Sequence, residues 1–249
     1  MYNSLPKLVL IAFVCTYSTK AIPCNGSAKY TLTFQAEWTS ARHANFPSDP
    51  HFSPMVGCSH KADYVMWRPG EKASTGVKNV AETGSTSVID REIDSQIASK
   101  SAHKRYKGSL ISGGTARDSI SHIEVNTVYP LVSFITMVAP SPDRFLGVRD
   151  LNLCDTTTGK WRDQEVRDLF PYDAGTDSGL NFESSNKVTN PPDNIHRITN
   201  DTEGSLKGDK PIKRFGTFTF VNTSESNVKV SLANLVLTLC VLNIIGNLS

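Results

Sequence analysis

Apolar and polar residues alternate with a period of two along 30–38 (YTLTFQAEW), the pattern of a strand with one face buried and the other in water. Further strands are predicted at 64–67 (YVMW), 109–112 (SLIS), 122–138, 144–153, 180–183 (LNFE) and 214–222. Pro130 lacks an amide hydrogen, so it splits the long run 122–138 or places it at a sheet edge. Helical spacing occurs at Val88, Ile89, Ile93 and Ile97, with charges between them and Ser87 available as a cap. The stretch 76–84 adds a turn or two that Gly84 ends. Many short strands broken by Gly, Pro, Asn and Asp, with one or two inserted helices, predict a mostly β domain, an antiparallel sandwich or barrel. No internal repeat is visible.

Both ends of the chain carry apolar runs of a different kind. Residues 1–21 combine an early Lys7, an apolar run over 8–17 and small or polar residues up to Ala21. This is the layout of a secretory signal peptide, too short for a permanent membrane span; the alternative is a buried N-terminal element. Residues 22–222 then form the domain, and 223–249 a spacer and hydrophobic tail. From Val230 about nineteen residues, at roughly 1.5 Å each, would make a helix of about 28 Å. No Lys or Arg follows, and the small polar stretch 222–227 precedes it. A glycolipid-anchor signal fits, with Asn222, Ser224 or Ser226 as attachment residues; a transmembrane tail and a buried C-terminal element are the other readings. The protein is expected outside the cell, secreted or held at the outer surface, with membrane association through this tail.

Composition narrows the partners. The formal net charge of +2 comes without a basic block or clustered aromatics, which argues against nucleic acid. Of five cysteines, Cys15 leaves with the signal peptide and Cys240 lies in the tail. Cys24, Cys58 and Cys154 remain, allowing one internal disulfide and one free thiol. Cys24–Cys154 is the preferred pairing, closing a loop of about 130 residues worth roughly 4–5 kcal/mol in the chain-entropy model. Cys58 then reads as a small buried residue; a catalytic thiol paired with His60 is the functional alternative. Sequons at Asn25, Asn200 and Asn222 fit passage through the secretory pathway as glycosylation sites.

Two loops concentrate carboxylates. In 139–144 (APSPDR), prolines flanking Ser141 hold Asp143 on a stiff stretch after a long strand. In 171–179 (PYDAGTDSG), Asp173 and Asp177 lie four apart in a glycine-containing turn. Hard oxygen ligands on loops without His or Cys are what Ca²⁺ takes. A helix-loop-helix calcium loop is excluded: counting from Asp173, Ser178 stands where glycine is needed and Ser184 where glutamate is. The other reading is a pair of solvated turns in which each Asp caps its own backbone amides.

Five stretches, 28–38, 51–60, 64–84, 140–154 (PSPDRFLGVRDLNLC) and 168–186 (DLFPYDAGTDSGLNFESSN), in this order resemble the spondin domain of the F-spondin and mindin family. The resemblance covers roughly residues 24–222. It implies a mostly β extracellular fold, an antiparallel β-sandwich with one or two inserted helices, akin to calcium-dependent lipid-binding domains. It implies matrix adhesion rather than catalysis, with one calcium ion held by the aspartates matching Asp143, Asp173 and Asp177. It also supports the Cys24–Cys154 bridge. Arg144 stands where the family usually has Trp, HANFP (43–47) shortens a front motif, no second cysteine follows Cys154 before Trp161, and no thrombospondin-type repeat occurs.

The first expectation is therefore a calcium-supported adhesion module for a matrix or cell-surface protein or glycan. A calcium-dependent module binding anionic lipid headgroups is the alternative. A metal-dependent hydrolase is third, because no His ligand or paired general base clusters near these loops. His51 and His60 read more simply as polar members of a strand region.

Overall fold

The computed structural model describes residues 21–204, 208 and 210–224. The expected signal peptide and tail, apart from the residues at their inner ends, lie outside the described residues. Along the chain come β1 (Ser27–Ala36), β2 (His51–Phe52), β3 (Val56–His60), α1 (Thr75–Thr83), α2 (Ser87–Ala98), β4 (Ala102–Lys107) and β5 (Ile111–Ser112). There follow β6 (Arg117–Asn126), β7 (Leu131–Ala139), β8 (Arg144–Asn152), β9 (Cys154–Asp155), β10 (Lys160–Trp161) and β11 (Gln164–Leu169). Last are β12 (Tyr172–Asp173), β13 (His196–Arg197) and β14 (Gly216–Asn222).

One sheet has the order β11-β14-β1-β6 and the other β13-β12-β8-β7-β2-β5, with β3 beside β7 and β4 beyond β3. The paired strands are antiparallel. The alternation that predicts β1 is realised in its burial, with Tyr30, Leu32 and Phe34 inaccessible and the residues between them facing outward. These side chains meet Phe218 and Phe220 of β14, and Val132, Phe134 and Leu146 of the larger sheet, in one core between the sheets. Phe34 packs edge-on against Phe52 at 5.0 Å and Phe218 at 5.5 Å, an arrangement that adds to the area term.

The helices are not merely inserted; they form a third layer. Val77, Val80 and Ala81 of α1 and Ile89 and Ile93 of α2 pack on Val56, Cys58, Ile135 and Phe145, on the far face of the larger sheet. This explains why β7 reads as a continuous apolar run: Phe134 faces the other sheet while Ile135 faces the helices. Pro130 does split the long run, lying in the turn between β6 and β7, but β7 is central rather than an edge strand. Ser74 caps α1 by accepting from the Val77 amide at 3.1 Å, and Gly84 ends it at φ 69°. In α2 the cap position falls on Thr86, one residue before Ser87.

Two predicted strands are absent. Residues 64–67 and 180–183 form no strand, although Tyr64, Met66, Trp67 and Phe182 are buried. A short apolar run reports burial and not conformation.

Register fixes the two ends of the sandwich. Tyr30 pairs with Asn222 and Leu131 with Asn152, at the end that carries Cys24–Cys154 with Cα atoms 5.7 Å apart. Ala36 and Leu169 both pair with Gly216 at the opposite end, where β7 gives way to β8. The ten residues of β1 separate the two ends by roughly 30 Å.

Candidate functional site

The acidic loops lie at this opposite end. Asp143 sits between β7 and β8, and Asp173 closes β12, paired with Arg144 of β8. The Ala174 amide donates to the Asp143 carbonyl at 3.0 Å, so the sheet itself draws the two loops together. Asp143 is 1% exposed and Asp177 6%, while Asp173 is half-buried.

The three carboxylates play different parts. Asp173 accepts from the Gly175 amide at 2.8 Å, and Asp177 from that of Gly179 at 2.7 Å. These are the self-capped turns foreseen as one reading of the loop. Asp177 Oδ2 also takes the Lys187 amide at 3.0 Å, tying the loop to the segment that returns beside it. Asp143 instead reaches across: its Oδ2 accepts from the amides of Thr176 at 2.7 Å and Asp177 at 3.0 Å and from the Thr176 hydroxyl at 3.3 Å. Its other oxygen, Oδ1, is buried without a hydrogen-bond partner.

That orphaned oxygen has an electrostatic counterpart. Burial, then the negative charge of Asp173 and, more weakly, of Asp177, push the Asp143 carboxyl up to about 6, against the pull of the Thr176 and Asp177 amides. Asp173 and Asp177 thus lie near enough to repel it, and a cation among the three would reverse the sign of their interaction. Among the described residues, no group of three or more His, Cys, Asp or Glu side chains is arranged to hold a metal ion as it stands. The donor chemistry, hard carboxylate oxygens with one left unpartnered, suits a calcium ion.

The glycines have a specific use here. Gly175 has φ +73°, and a Cβ there would come within 2.5 Å of the Asp193 carbonyl oxygen, which itself belongs to the segment donating its amide to Gly175 at 2.7 Å. Only glycine lets the loop fold that tightly against 187–193.

Arg144 makes no direct ion pair with the carboxylates, although the charges of Asp173 and Asp143 help to sustain its own. It is 2% exposed, donates from Nη2 to the Leu180 carbonyl at 2.9 Å and lies over the Phe182 ring at 5.5 Å. Burial holds its basicity below the usual value. Sequence reasoning missed two supporting residues. Thr176, between the two aspartates, supplies two donors to Asp143. Ser141 brackets the loop by accepting from the Arg144 amide at 3.1 Å and donating to the Val138 carbonyl at 2.5 Å. The TD and SPD motifs contain both, but which oxygen each one meets is set by the other loop.

Elsewhere the nucleophile reading finds no footing. Cys58 is fully buried and burial pushes its thiol up to about 12. His60 is committed on both nitrogens, to Ser133 Oγ at 2.8 Å and the Lys61 carbonyl at 2.7 Å, and burial lowers its basicity. His51 is engaged by the Asp49 carbonyl at 2.9 Å. Of the sequon residues, Asn25 and Asn200 are exposed and Asn222 is half-buried at the end of β14. No helix among the described residues is long and apolar enough to cross a membrane.

Comparison with known proteins bears on the whole domain. A model of the family Spondin_N matches residues 28–207. Spondin-2 of Homo sapiens is 38% identical over 177 residues, covering 69% of this chain and 53% of that protein. Spondin-2 of Rattus norvegicus is 36% identical over the same length, and Spondin-1 of Gallus gallus 37% over 183 residues, or 22% of its own length. The chain therefore spans about half of the Spondin-2 proteins and a fifth of Spondin-1. With the family model and these relatives agreeing over most of the described domain, the chain belongs to the spondin family through its Spondin_N domain.

Proposed function

We propose that this domain is an extracellular binding module rather than an enzyme, that one calcium ion ties Asp143 to Asp173 and Asp177, and that the loop end so organised recognises a matrix or cell-surface protein or glycan. Family membership supports the coarser part, an extracellular, matrix-related domain. The observation that carries the finer part is Asp143: a buried carboxylate with one oxygen unpartnered, next to two further carboxylates. Such a group is costly unless neutralised. A bound calcium ion supplies that neutralisation and cross-links the loops. Because the side chains are not arranged as a metal site as they stand, loading is coupled to rotation of Asp173 and Asp177 toward Asp143. Backbone carbonyls and water complete the 6–8 oxygens such an ion takes.

The chain leaves the described domain at Ser224, tied to the Lys29 amide at the disulfide end. Attachment to a membrane through 225–249 would leave the acidic loops roughly 30 Å away, pointing outward. That arrangement favours a partner in the matrix or on another cell over headgroups of the same membrane.

Thermal melting with calcium and with chelator tests the metal. Calcium is expected to raise the melting temperature, by the equivalent of about 2.7 kcal/mol at a hundredfold excess over the dissociation constant. Asp173→Asn with Asp177→Asn abolishes that rise. A rise that persists in the double variant overturns the assignment.

A further inference from the structure

We propose that a second site, a cleft of about 380 Å³ between β8 and β11, binds a sulfated glycan chain. Strand β8 is paired on this side only at Arg144 and Phe145, through the two-residue β12, so from Gly147 onward its edge carries no further strand among the described residues. The cleft opens along that edge. Arg149, Arg162 and Arg167 line it against a single lining carboxylate, Asp150, with Trp67 and Tyr172 at its base.

The arginines come from β8, β11 and the connection that precedes β11, and are held in place by carboxylates. Glu165 reaches Arg167 at 2.8 Å and Arg162 at 3.6 Å, and Asp150 takes Arg149 at 3.2 Å. Each of these contacts fixes a guanidinium while leaving donors over, and a planar guanidinium matches a sulfate or carboxylate in two-point fashion. A second, independent observation marks the same place. A buried donor without a hydrogen-bond partner, Trp67 Nε1, belongs to a lining residue. Buried donors are ordinarily satisfied, and an oxygen-rich ligand in the cleft would satisfy this one.

A sulfated sugar chain fits better than an acidic peptide. Its negative groups recur at fixed spacing along a stiff chain, matching guanidiniums presented by separate strands. The half-buried Tyr172, which lines the cleft, adds apolar surface for the C–H groups of a pyranose. The apolar side chains that would anchor a peptide find no pocket here, because Trp67 is 97% buried against Phe145 and Tyr172.

The test uses the full secreted chain in calorimetric titration with a heparin-derived oligosaccharide, its desulfated counterpart and poly-glutamate. Binding of the sulfated oligosaccharide is expected, weakening with salt and unaffected by chelator. Arg149→Ala with Arg167→Ala weakens it roughly tenfold, as loss of guanidinium contacts does at an interface. Lys78→Ala on α1 leaves it unchanged. If the double alanine variant melts early, Arg149→Gln with Arg167→Gln, which keeps the stems, replaces it. Absence of binding, equal binding of poly-glutamate, or full affinity in the arginine variants each overturns the proposal. Since no step involves the acidic loops, failure here leaves the calcium reading standing, and failure of the calcium reading leaves this one.

Discussion

The two ends of the sandwich are stabilised by opposite means. At one end a covalent bridge joins Cys24 to Cys154, both nearly inaccessible, and Tyr30 donates its hydroxyl to the Arg162 carbonyl at 2.7 Å to close the same corner. At the other end, loops 140–143 and 173–179 are joined without a covalent link, by one backbone hydrogen bond and by amides donating to the Asp143 carboxylate, which keeps a buried oxygen without a partner. The first end is closed by a covalent bond whether or not a cation is present. The second, on the calcium reading proposed above, depends on a cation as well.

Breaking the bridge is the largest perturbation of this contrast. Cys24→Ser is expected to cost roughly 4–5 kcal/mol, from a loop of 130 residues released in the unfolded state, measured by denaturant unfolding. The loss should be the same with calcium and with chelator; a calcium-dependent loss would mean that the two ends are coupled.

A smaller effect comes from acid. The Asp143 carboxyl is pushed from 3.8 up to about 6 in the folded protein, so the folded state binds more protons than the unfolded one between those values. In chelator, its contribution to stability is therefore greatest below about 4 and is lost as pH rises through about 6. Melting across pH 4–7 in chelator, compared with Asp143→Asn, isolates the term: the wild type should lose stability relative to the variant as pH rises. With calcium the difference should shrink or reverse, since the ion favours the ionised carboxylate.

The smallest effect sharpens the acidic end alone. Ser141→Ala removes the acceptor of the buried Arg144 amide and a donor to the Val138 carbonyl. It should cost about 1–2 kcal/mol by denaturant unfolding and lower calcium affinity by loosening the loop that carries Asp143. Unchanged calcium affinity in a destabilised variant would show that loop rigidity and ion binding are separate.

Much of the sandwich is legible in the chain, and for identifiable reasons. β1, β8 and β14 each have one buried face or a continuous buried run, so burial and conformation leave the same trace. β4 was not legible: its AHKRYK is charged because Arg105 pairs with Asp90 and Asp94 of α2 while Lys104 pairs with Glu124 of β6, partners on neighbouring elements that no local periodicity reveals. The apolar stripe of α2 announces a helix but not the sheet face that it covers. Residues 64–67 are apolar because Met66 and Trp67 plug the helix-side core from a loop, which no periodicity distinguishes from a strand. At the site, the turn-capping roles of Asp173 and Asp177 follow from their local glycines. The approach of Asp143, some thirty residues earlier, depends on the pairing of β12 with β8. Only the resemblance to the spondin domain joined the three in advance. The arginine cleft left no trace at all, since Arg149, Arg162 and Arg167 meet only after the sheets have stacked.

The central claim is that Asp143, Asp173 and Asp177 share one divalent cation. A crystal structure of the domain grown with calcium tests it most directly. The account predicts an ion at about 2.3–2.6 Å from Asp143 Oδ1 and from an oxygen of each of the other two aspartates. An Asp143 Oδ1 that meets only protein or water, with Asp173 and Asp177 still closing their own turns and no ion between them, would contradict it.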